Sequence, residues 1–355
     1  MDATHYFVRM KLAAAGVLCF ALLGGCAGNE RVGGAGNGRF EFGLMGDQQY
    51  NKKSAAQFPN IMNDLNQADL AFVVLIGDFK GGKKGKCSDG LYKSRKADFD
   101  ASKHPLIYTP GDNDWMDCHF PGAGGFDPVE RLAKLRGVFF QGDRSLGQRK
   151  LTLTRQSKDP KYAKFRENTR WSYGDVLFVT IHTVGDNNNL GRTPETDAEY
   201  RERNAANLVW LKQAFDLAKR NGNKGVVLIT HANPLFQYRL PARRVRILKV
   251  AKPGKKPSGY SDYLAVLEAE TVAFGKPVVL LHGDSHYFRI DKPLFSSKEA
   301  GPGKFGRNIE NFTRVETFGF PEAHWVRMIV DPEDPNVFTF KQGMVKKNAF
   351  KHLSK

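Results

Sequence analysis

The amino-acid sequence predicts an α/β domain whose strands lie in two packed sheets. Short apolar runs of strand length alternate with helical segments along most of the chain, and three strand-like runs follow one another near its end. Alternation followed by a strand-rich end is typical of layered α/β domains. The 355 residues suffice for a large core, and no linker-like stretch follows residue 38, so we expect one domain over 39–345.

The first half of the chain begins with a strand and alternates regularly. Ser54 suits the N-cap of the first helix, and Asp127-Pro128 suits the start of the third, because Pro fits the first helical turn. The predicted strands are 39–45, 70–76, 105–109 and 151–154, and the predicted helices are 54–67, 91–102 and a longer one from 128.

The second half contains the clearest helix, about 196–220, which has an apolar stripe and is followed by Gly222. A further helix, 261–274, ends at Gly275. The predicted strands are 176–181, 226–230, 278–281, 313–318, 325–330 and 337–341.

Five of the apolar runs end in side chains that can bind a metal ion. Four of the five place an Asp directly after Gly, which permits a sharp turn or a close approach. Ligands collect where buried strands end, and crowded carboxylates need a compensating positive charge, so a cation site is expected on one rim. The runs are FEFGLMGDQQ, AFVVLIGD, PLIYTPGDND, VVLITH and VVLLHGDSH.

The N-terminus has the pattern of a bacterial lipoprotein signal. Basic residues precede an apolar stretch, 12–23, that is too short to span a membrane as a mature helix. Leu23-Gly24-Gly25-Cys26 resembles a lipobox, which predicts removal of residues 1–25 and lipidation of Cys26. The Gly-rich stretch 26–38 then suits a tether. We expect a lipoprotein on the periplasmic side of the outer membrane, and an ordinary cleaved signal is the alternative.

Export determines how the remaining cysteines are interpreted. Cys87 and Cys118 lie in the expected domain, and an oxidising compartment favours a disulfide between them. Each follows an Asp-bearing cluster at short range, so the two loops should be neighbours. Two free thiols are the alternative.

The net charge of +17 favours an anionic partner. Lys and Arg without any acid are concentrated at 239–256, and a smaller basic run, 80–86, follows Asp78. Such runs can hold an anionic substrate or lie on an anionic membrane, and solvated surface loops are the alternative. Nucleic acid is disfavoured because 239–256 has almost no aromatic residues for base stacking. Residues 346–355 are expected to form a basic tail.

The order of the five clusters resembles that of the calcineurin-like metallophosphoesterase superfamily over about residues 39–345. The family pattern is D-x-H, G-D, G-N-H-D/E, a lone His and G-H-x-H, each at a strand end. The matching segments here are Asp47-Gln48-Gln49, Gly77-Asp78, Gly111-Asp112-Asn113-Asp114, His231 and Gly283-Asp284-Ser285-His286. The resemblance implies a four-layer α/β/β/α sandwich with two packed mixed sheets.

The resemblance also implies a two-metal site that hydrolyses a phosphomonoester or phosphodiester. In such sites two divalent ions clamp the phosphoryl group and activate a hydroxide for in-line attack. Carried over position by position, the first ion would bind Asp47, Gln49, Asp78 and His286, and the second Asp78, Asp112, His231 and Asp284.

Three of these positions depart from the family pattern toward oxygen donors: Gln49 replaces His, Asp112 replaces Asn and Asp284 replaces His. Hard oxygen ligands favour Mn²⁺ or Mg²⁺, and iron and Zn²⁺ are the alternatives. A decayed site would be expected to gain Ala, Leu or Ser, so we interpret the site as active. The competing hypothesis is a catalytically silent lipoprotein that binds an anion on the same fold.

Asn113 and Asp114 stand at the catalytic positions that the resemblance implies. The family commonly has a His at the position of Asn113, which contacts the phosphate and can protonate the leaving group, with Asp114 orienting it. Asn cannot supply this proton, and losing a general acid costs about 10²–10⁴-fold in rate. A good leaving group or another acid is therefore needed. His119 and His182 are candidates, and a structural role is the alternative for each.

Overall fold

The computed structural model describes residues 38–235, 258–299 and 306–349. Over these ranges the chain is an α/β domain with two mixed sheets, as the sequence predicts. The signal 1–25, Cys26, most of the tether and the basic segment 239–256 lie outside the described residues.

Five strands form the first sheet. They are β1 (Phe40–Met45), β2 (Val73–Leu75), β3 (Leu106–Tyr108), β11 (Trp325–Val330) and β12 (Phe338–Gly343). Their order is β12-β11-β1-β2-β3. The strands β1, β2 and β3 are parallel, whereas β11 pairs antiparallel with both β1 and β12.

Seven strands form the second sheet. They are β4 (Thr154–Arg155), β5 (Thr169–Tyr173), β6 (Val176–Thr180), β7 (Gly225–Ile229), β8 (Val278–His282), β9 (Arg289–Asp291) and β10 (Phe312–Glu316). Their order is β4-β5-β6-β7-β8-β10-β9, with β6, β7, β8 and β10 parallel. The sequence analysis missed β5 and β9 because TRWSY and RID contain no continuous apolar run.

Helices cover the outer faces of both sheets. Helices α1 (Lys52–Gln67), α2 (Asp89–Asp100) and α3 (Pro128–Phe139) share a core with β1, β2 and β3. Helices α4 (Pro194–Arg220) and α5 (Ser261–Phe274) share another with the second sheet. No helix of the described residues is both long and apolar enough to cross a membrane.

A third apolar cluster lies between the two sheets and explains the continuous hydrophobic runs. In β2, Val73 and Leu75 pack toward the helices, whereas Val74 belongs to the cluster shared with Phe178 and Val227 of the second sheet. Both faces of the strand are therefore buried, which removes the polar alternation that a half-exposed strand would show.

The helix boundaries correct one detail of the sequence analysis. Helix α1 starts after Asn51, whose side-chain oxygen accepts from the Ser54 backbone N–H at 3.0 Å. The Ser54 hydroxyl accepts from the Asn51 N–H in return, at 3.0 Å. Ser54 is thus the N3 residue of a capping box and not the N-cap, because Asn is as good a capping residue as Ser. Asp127 and Gly275 occupy the predicted cap positions.

The folded part of the chain continues beyond residue 345. Lys346–Asn348 is a short 3-10 helix. The Asn348 side chain donates to the Ala323 carbonyl at 2.9 Å and accepts from Asn60 of α1 at 2.8 Å. The start of the predicted basic tail therefore belongs to the domain, and residues 350–355 lie outside the described residues.

The structure contains a disulfide between Cys87 and Cys118, the pair expected from the sequence. It joins the loop before α2 to the short helix Met116–His119, 31 residues along the chain. Closing a loop of this length restricts the unfolded chain.

We predict that the double substitution Cys87→Ser with Cys118→Ser lowers the free energy of unfolding by about 3 kcal/mol, because the unfolded chain regains its loop entropy. Urea denaturation under non-reducing conditions measures the change. Reducing agent should destabilise the wild-type chain similarly and leave the double variant unchanged. Equal stability of the two chains before reduction would contradict the prediction.

Candidate metal centre

Five loops meet at one edge, where parallel strands of both sheets end. They follow β1, β2 and β3 of the first sheet and β7 and β8 of the second. Backbone hydrogen bonds join neighbouring loops: Asp47 N donates to Gly77 O at 3.1 Å, and Gly283 N donates to His231 O at 3.0 Å. The five clusters found in the sequence therefore lie together.

The acidic and imidazole side chains of these loops form two groups. Asp47, Asp78 and His286 each offer a ligand atom within 4.8 Å of the others, and so do Asp78, Asp112 and His231. Asp78 belongs to both groups. A carboxylate shared between two sets of donors is the arrangement needed to place two cations side by side.

Both histidines of these groups are held in the orientation of a metal ligand. Nδ1 of His231 donates to the Ile76 carbonyl at 2.7 Å, and Nδ1 of His286 donates to the Phe320 carbonyl at 2.8 Å. In the neutral imidazole this assignment leaves each Nε2 without a hydrogen, facing the carboxylates. Metal-bound histidines are commonly fixed by a backbone carbonyl in this way.

The buried Nε2 of His231 has no hydrogen-bond partner among the described residues. It lies 3.0 Å from Asp112 Oδ1 and 3.5 Å from Asp78 Oδ1. A lone pair that faces two carboxylate oxygens is repelled unless a proton or a metal cation lies between them. The donor set therefore fits a cation.

The pKa values of these side chains also indicate that a cation is needed. Burial raises the pKa of Asp78 well above its ordinary value, with Asp112 adding to the effect against His231. Burial and then Asp112 raise the pKa of Asp284 to about 7. Burial lowers the pKa of His231, but Asp78 and Asp112 raise it well above its ordinary value. The carboxylates can all ionise only with positive charge among them.

Backbone strain is concentrated in these loops. Five of the seven predicted ligands have positive φ, a conformation that side-chain-bearing residues rarely adopt. Such strain persists where the surrounding structure fixes it, and it clusters at functional sites. The five are Asp47 (55°), Gln49 (64°), Asp78 (55°), Asp284 (71°) and His286 (56°).

Two glycines that precede ligands are required by close approach. A Cβ on Gly111 would lie 2.1 Å from Asp78 Oδ1, and a Cβ on Gly283 would lie 2.1 Å from Asp47 Oδ2. Each glycine therefore makes room for the carboxylate of another loop. This is a stronger reason for the repeated Gly-Asp pairs than turn formation alone.

Two predicted ligands lie beside the groups rather than within them. Asp284 Oδ1 is 3.9 Å from His231 Nε2, and the Asp284 N–H donates to both Asp47 carboxylate oxygens at 3.2 Å. Gln49 is buried, but its amide nitrogen lies 3.5 Å from Asp98 of α2. Asp284 thus borders the second group, whereas the Gln49 amide contacts α2.

Asp114 connects the loops. Its carboxylate accepts from Asp78 N, Phe79 N, Gly111 N and the Tyr108 hydroxyl at 2.7–3.0 Å. These four donors account for its acceptor capacity, so Asp114 positions Asp78 rather than orienting Asn113. The Asn113 side chain instead donates to Asp78 Oδ2 at 2.5 Å.

The two candidate acids lie in different surroundings. His182 is fully buried and contacts Glu167 at 2.8 Å through Nδ1, and burial lowers its pKa to about 4. His119 is exposed, contacts the ring of Phe120, donates through Nδ1 to the Met116 carbonyl at 2.8 Å and lies 3.3 Å from Arg192 Nη1. His182 is therefore structural, and of the two only His119 is accessible.

The loop after β6 was missed in the sequence, although Gly185-Asp186 repeats the Gly-Asp pattern after a strand. Gly185 N donates to Asp112 Oδ1 at 3.1 Å. Asp186 to Asn189 all have positive φ, forming a left-handed turn that Asp and Asn tolerate better than most residues. Arg192 is attached to this turn through Asn189 Oδ1 at 2.7 Å.

Lys80 and Tyr50 also lie at the site. Lys80, the first residue of the basic run 80–86, is buried, and its ammonium donates to the carbonyls of Asn113, Gly81 and Gly82. The Tyr50 hydroxyl contacts Asp78 at 2.6 Å. Neither role had a signal in the sequence, because both contacts depend on how the loops bend.

Comparison with models of known protein families and with curated proteins found no match for this chain. The geometry of the centre is therefore the basis for the function considered below.

We predict that Asp114→Ala lowers the free energy of unfolding by about 3 kcal/mol, because four donors lose their shared acceptor in a buried site. Thermal and urea unfolding would measure the loss. The exposed Asp216→Ala on α4 is the matched control and should change stability by less than about 0.5 kcal/mol. Similar effects of the two substitutions would contradict the role of Asp114.

We predict that the burial of His182 makes stability fall in mild acid, although the contact with Glu167 partly opposes the lowering of its pKa. The folded state keeps His182 neutral down to a pKa of about 4, whereas the unfolded chain binds a proton below about 6.5. The contribution of neutral His182 to the free energy of unfolding is complete above pH 6.5, and roughly 3 kcal/mol of it is lost by pH 4. His182→Gln should flatten this slope and His119→Gln should not. Identical slopes in all three chains would exclude the explanation.

Proposed function

We propose that this protein is a metal-dependent phosphoesterase of the calcineurin-like metallophosphoesterase superfamily, with the α/β/β/α sandwich of that family. The observation that carries the proposal is the pair of donor groups that share Asp78. Their residues come from five strand ends in the order of the family motifs. The chemistry of a shared carboxylate between two cations suits hydrolysis of a phosphomonoester or phosphodiester.

In this proposal Asp47, Asp78 and His286 hold one divalent ion, and Asp78, Asp112 and His231 hold the other. Asp284 lies where it can complete the second group. Carboxylates outnumber imidazoles, so Mn²⁺ or Mg²⁺ is favoured, with iron and Zn²⁺ as alternatives. When bound, two such ions supply Lewis-acid activation of water and neutralise the charge of a phosphoryl group.

The residues of the chain supply position and charge. Hydrogen bonds from Asn113 N and the Asn113 amide fix both oxygens of Asp78, and Asp114 fixes the backbone of the same loop. On the side of the second group, Arg192, Lys83 and His119 oppose the rise of the pKa of Asp186 that burial and Asp112 cause. In this proposal the positive charges of Arg192 and Lys83 help to attract an anionic substrate.

The leaving group in this proposal needs either no proton or a proton from a residue other than Asn113. The Asn113 amide is directed to Asp78, so it does not replace the missing histidine. His119 is exposed and lies 3.3 Å from Arg192, which is attached to the loop that contacts Asp112. We therefore infer that the enzyme prefers esters whose leaving groups depart without protonation, or uses His119 as the acid.

We further propose that the domain works outside the cytoplasm, attached by a lipid at Cys26 to the periplasmic side of the outer membrane. The lipobox-like segment and the Cys87–Cys118 disulfide support this placement. Disulfides of this kind persist in oxidising compartments. The partners are a phosphate-containing anion and the membrane, with nucleic acid disfavoured.

We predict that Asp78→Asn lowers the rate of hydrolysis of p-nitrophenyl and bis-p-nitrophenyl phosphate at least about 10³-fold. It should also lower the metal content, because both donor groups lose the negative charge that they share. Metal analysis and initial rates with added Mn²⁺ measure both effects. Asp98→Asn on α2, outside both groups, is the control.

Wild-type protein that binds two ions without hydrolysing either ester would favour the silent anion-binding alternative. Wild-type protein that binds no metal would contradict the proposed function.

A further inference from the structure

A left-handed turn lies directly beside the second donor group. Asp186, Asn187, Asn188 and Asn189 have φ angles of 47°, 59°, 56° and 71°. Asp and Asn adopt this conformation more readily than other residues that bear a side chain, but they usually do so singly. Four in succession need contacts that hold them, and backbone strain of this kind clusters at functional sites.

The residue that precedes this turn packs against the carboxylates of the second group. Gly185 N donates to Asp112 Oδ1 at 3.1 Å, and the same oxygen lies 3.0 Å from His231 Nε2. A Cβ on Gly185 would lie 2.6 Å from Asp112 Oδ1 and 2.7 Å from Asp284 Oδ1. The position of the turn therefore helps to decide where the Asp112 carboxylate lies.

Arg203 of α4 holds the turn through Asn188. Its guanidinium donates to the Asn188 side-chain oxygen at 2.6 Å, to the Asn188 carbonyl at 3.1 Å and to the His182 carbonyl at 2.9 Å. Glu199, one helical turn earlier, accepts from Nε and Nη2 of Arg203 at 2.6 and 3.0 Å. These contacts use all five donors of the guanidinium in a side chain that is only 1% exposed.

The segment that precedes α5 holds the same turn. Asn188 N donates to the Tyr260 hydroxyl at 3.2 Å, and this hydroxyl donates to the Val184 carbonyl at 2.9 Å. The Asn188 amide donates to the Gly259 carbonyl at 3.1 Å. Asn188 is therefore the residue at which α4 and the segment before α5 both grip the turn.

We propose that Arg203 is a positioning residue for the second metal ion. By holding Asn188 it fixes the turn, and the turn presents the Gly185 N–H to the Asp112 oxygen that faces His231. Metal affinity depends on hydrogen-bonded supports of this kind as well as on the ligands themselves. This inference rests on the proposed two-metal centre. It concerns only the second ion, because the first donor group comes from the loops after β1, β2 and β8.

Calorimetric titration of the metal-free protein with Mn²⁺ tests the inference. Wild-type protein should bind two ions. Arg203→Gln should bind the ion at Asp112 and His231 at least about tenfold more weakly, and the ion at Asp47 and His286 within about twofold of wild type. Anomalous scattering from crystals grown with limiting Mn²⁺ shows which of the two positions has lost occupancy.

Arg155→Gln is the matched control for the loss of a buried guanidinium. Arg155 is also buried, and it donates to the carbonyls of Gly142, Arg144 and Arg166, none of which belongs to a donor group. Both substitutions should lower the free energy of unfolding in urea, because each removes a buried hydrogen-bonded side chain. Only Arg203→Gln should weaken the binding of an ion.

Asn188→Ala tests the route from Arg203 to the metal. If Arg203 acts through Asn188, this substitution should weaken the same ion, and the double variant should bind it no more weakly than the weaker single variant. Arg203→Lys keeps the charge but not the planar fork, so it should recover part of the affinity. These variants also decide the question if Arg203→Gln does not fold.

The outcomes separate this inference from the proposed function. Equal weakening of both ions in Arg203→Gln, or the same weakening in Arg155→Gln, would overturn the inference and leave the two-metal centre intact. Unchanged affinity in every variant of Arg203 and Asn188 would do the same. Wild-type protein that binds fewer than two Mn²⁺ ions would overturn the proposed centre and this inference with it.

Discussion

The structure depends on bringing buried carboxylates from two sheets to one point. Asp47, Asp78 and Asp112 are buried together with His231, and the half-buried His286 and Asp284 lie beside them. Burial makes their negative charge costly, and their mutual repulsion adds to the cost. The strained backbone, the glycines at positions of close contact and the backbone-fixed histidines all maintain this convergence. A bound cation would replace this repulsion among the carboxylates with attraction to the ion.

Asp78 is the residue through which most of these constraints act. Its carboxylate contacts Tyr50, Asn113 and His231, and its backbone is fixed by Asp114. Four hydrogen bonds to the carboxylate of Asp114 hold this loop and the neighbouring one together, and they therefore position Asp78. The disulfide fixes the outer part of the same region, since it holds the segment that follows Asp114.

The sequence predicted the parts of the fold that depend on continuous burial. Runs such as AFVVLIGD are apolar because both faces of β2 are covered, so their strands and the ligands after them could be recognised. β5 and β9 lie toward the edges of the second sheet and are polar, so no continuous apolar run marked them as strands. The side-chain directions at the site could not be predicted. They depend on positive φ angles such as those at Asp47, Gln49 and Asp186, which the apolar runs do not reveal.

The most direct test of the central claim is a crystal structure of the protein grown with Mn²⁺, with the metal located by anomalous scattering. The account predicts two peaks about 3.5–4 Å apart, both bonded to the carboxylate of Asp78. One peak would also contact Asp47 and His286, and the other would contact Asp112 and His231. A single ion that does not contact Asp78, or no ion among these residues, would contradict the account.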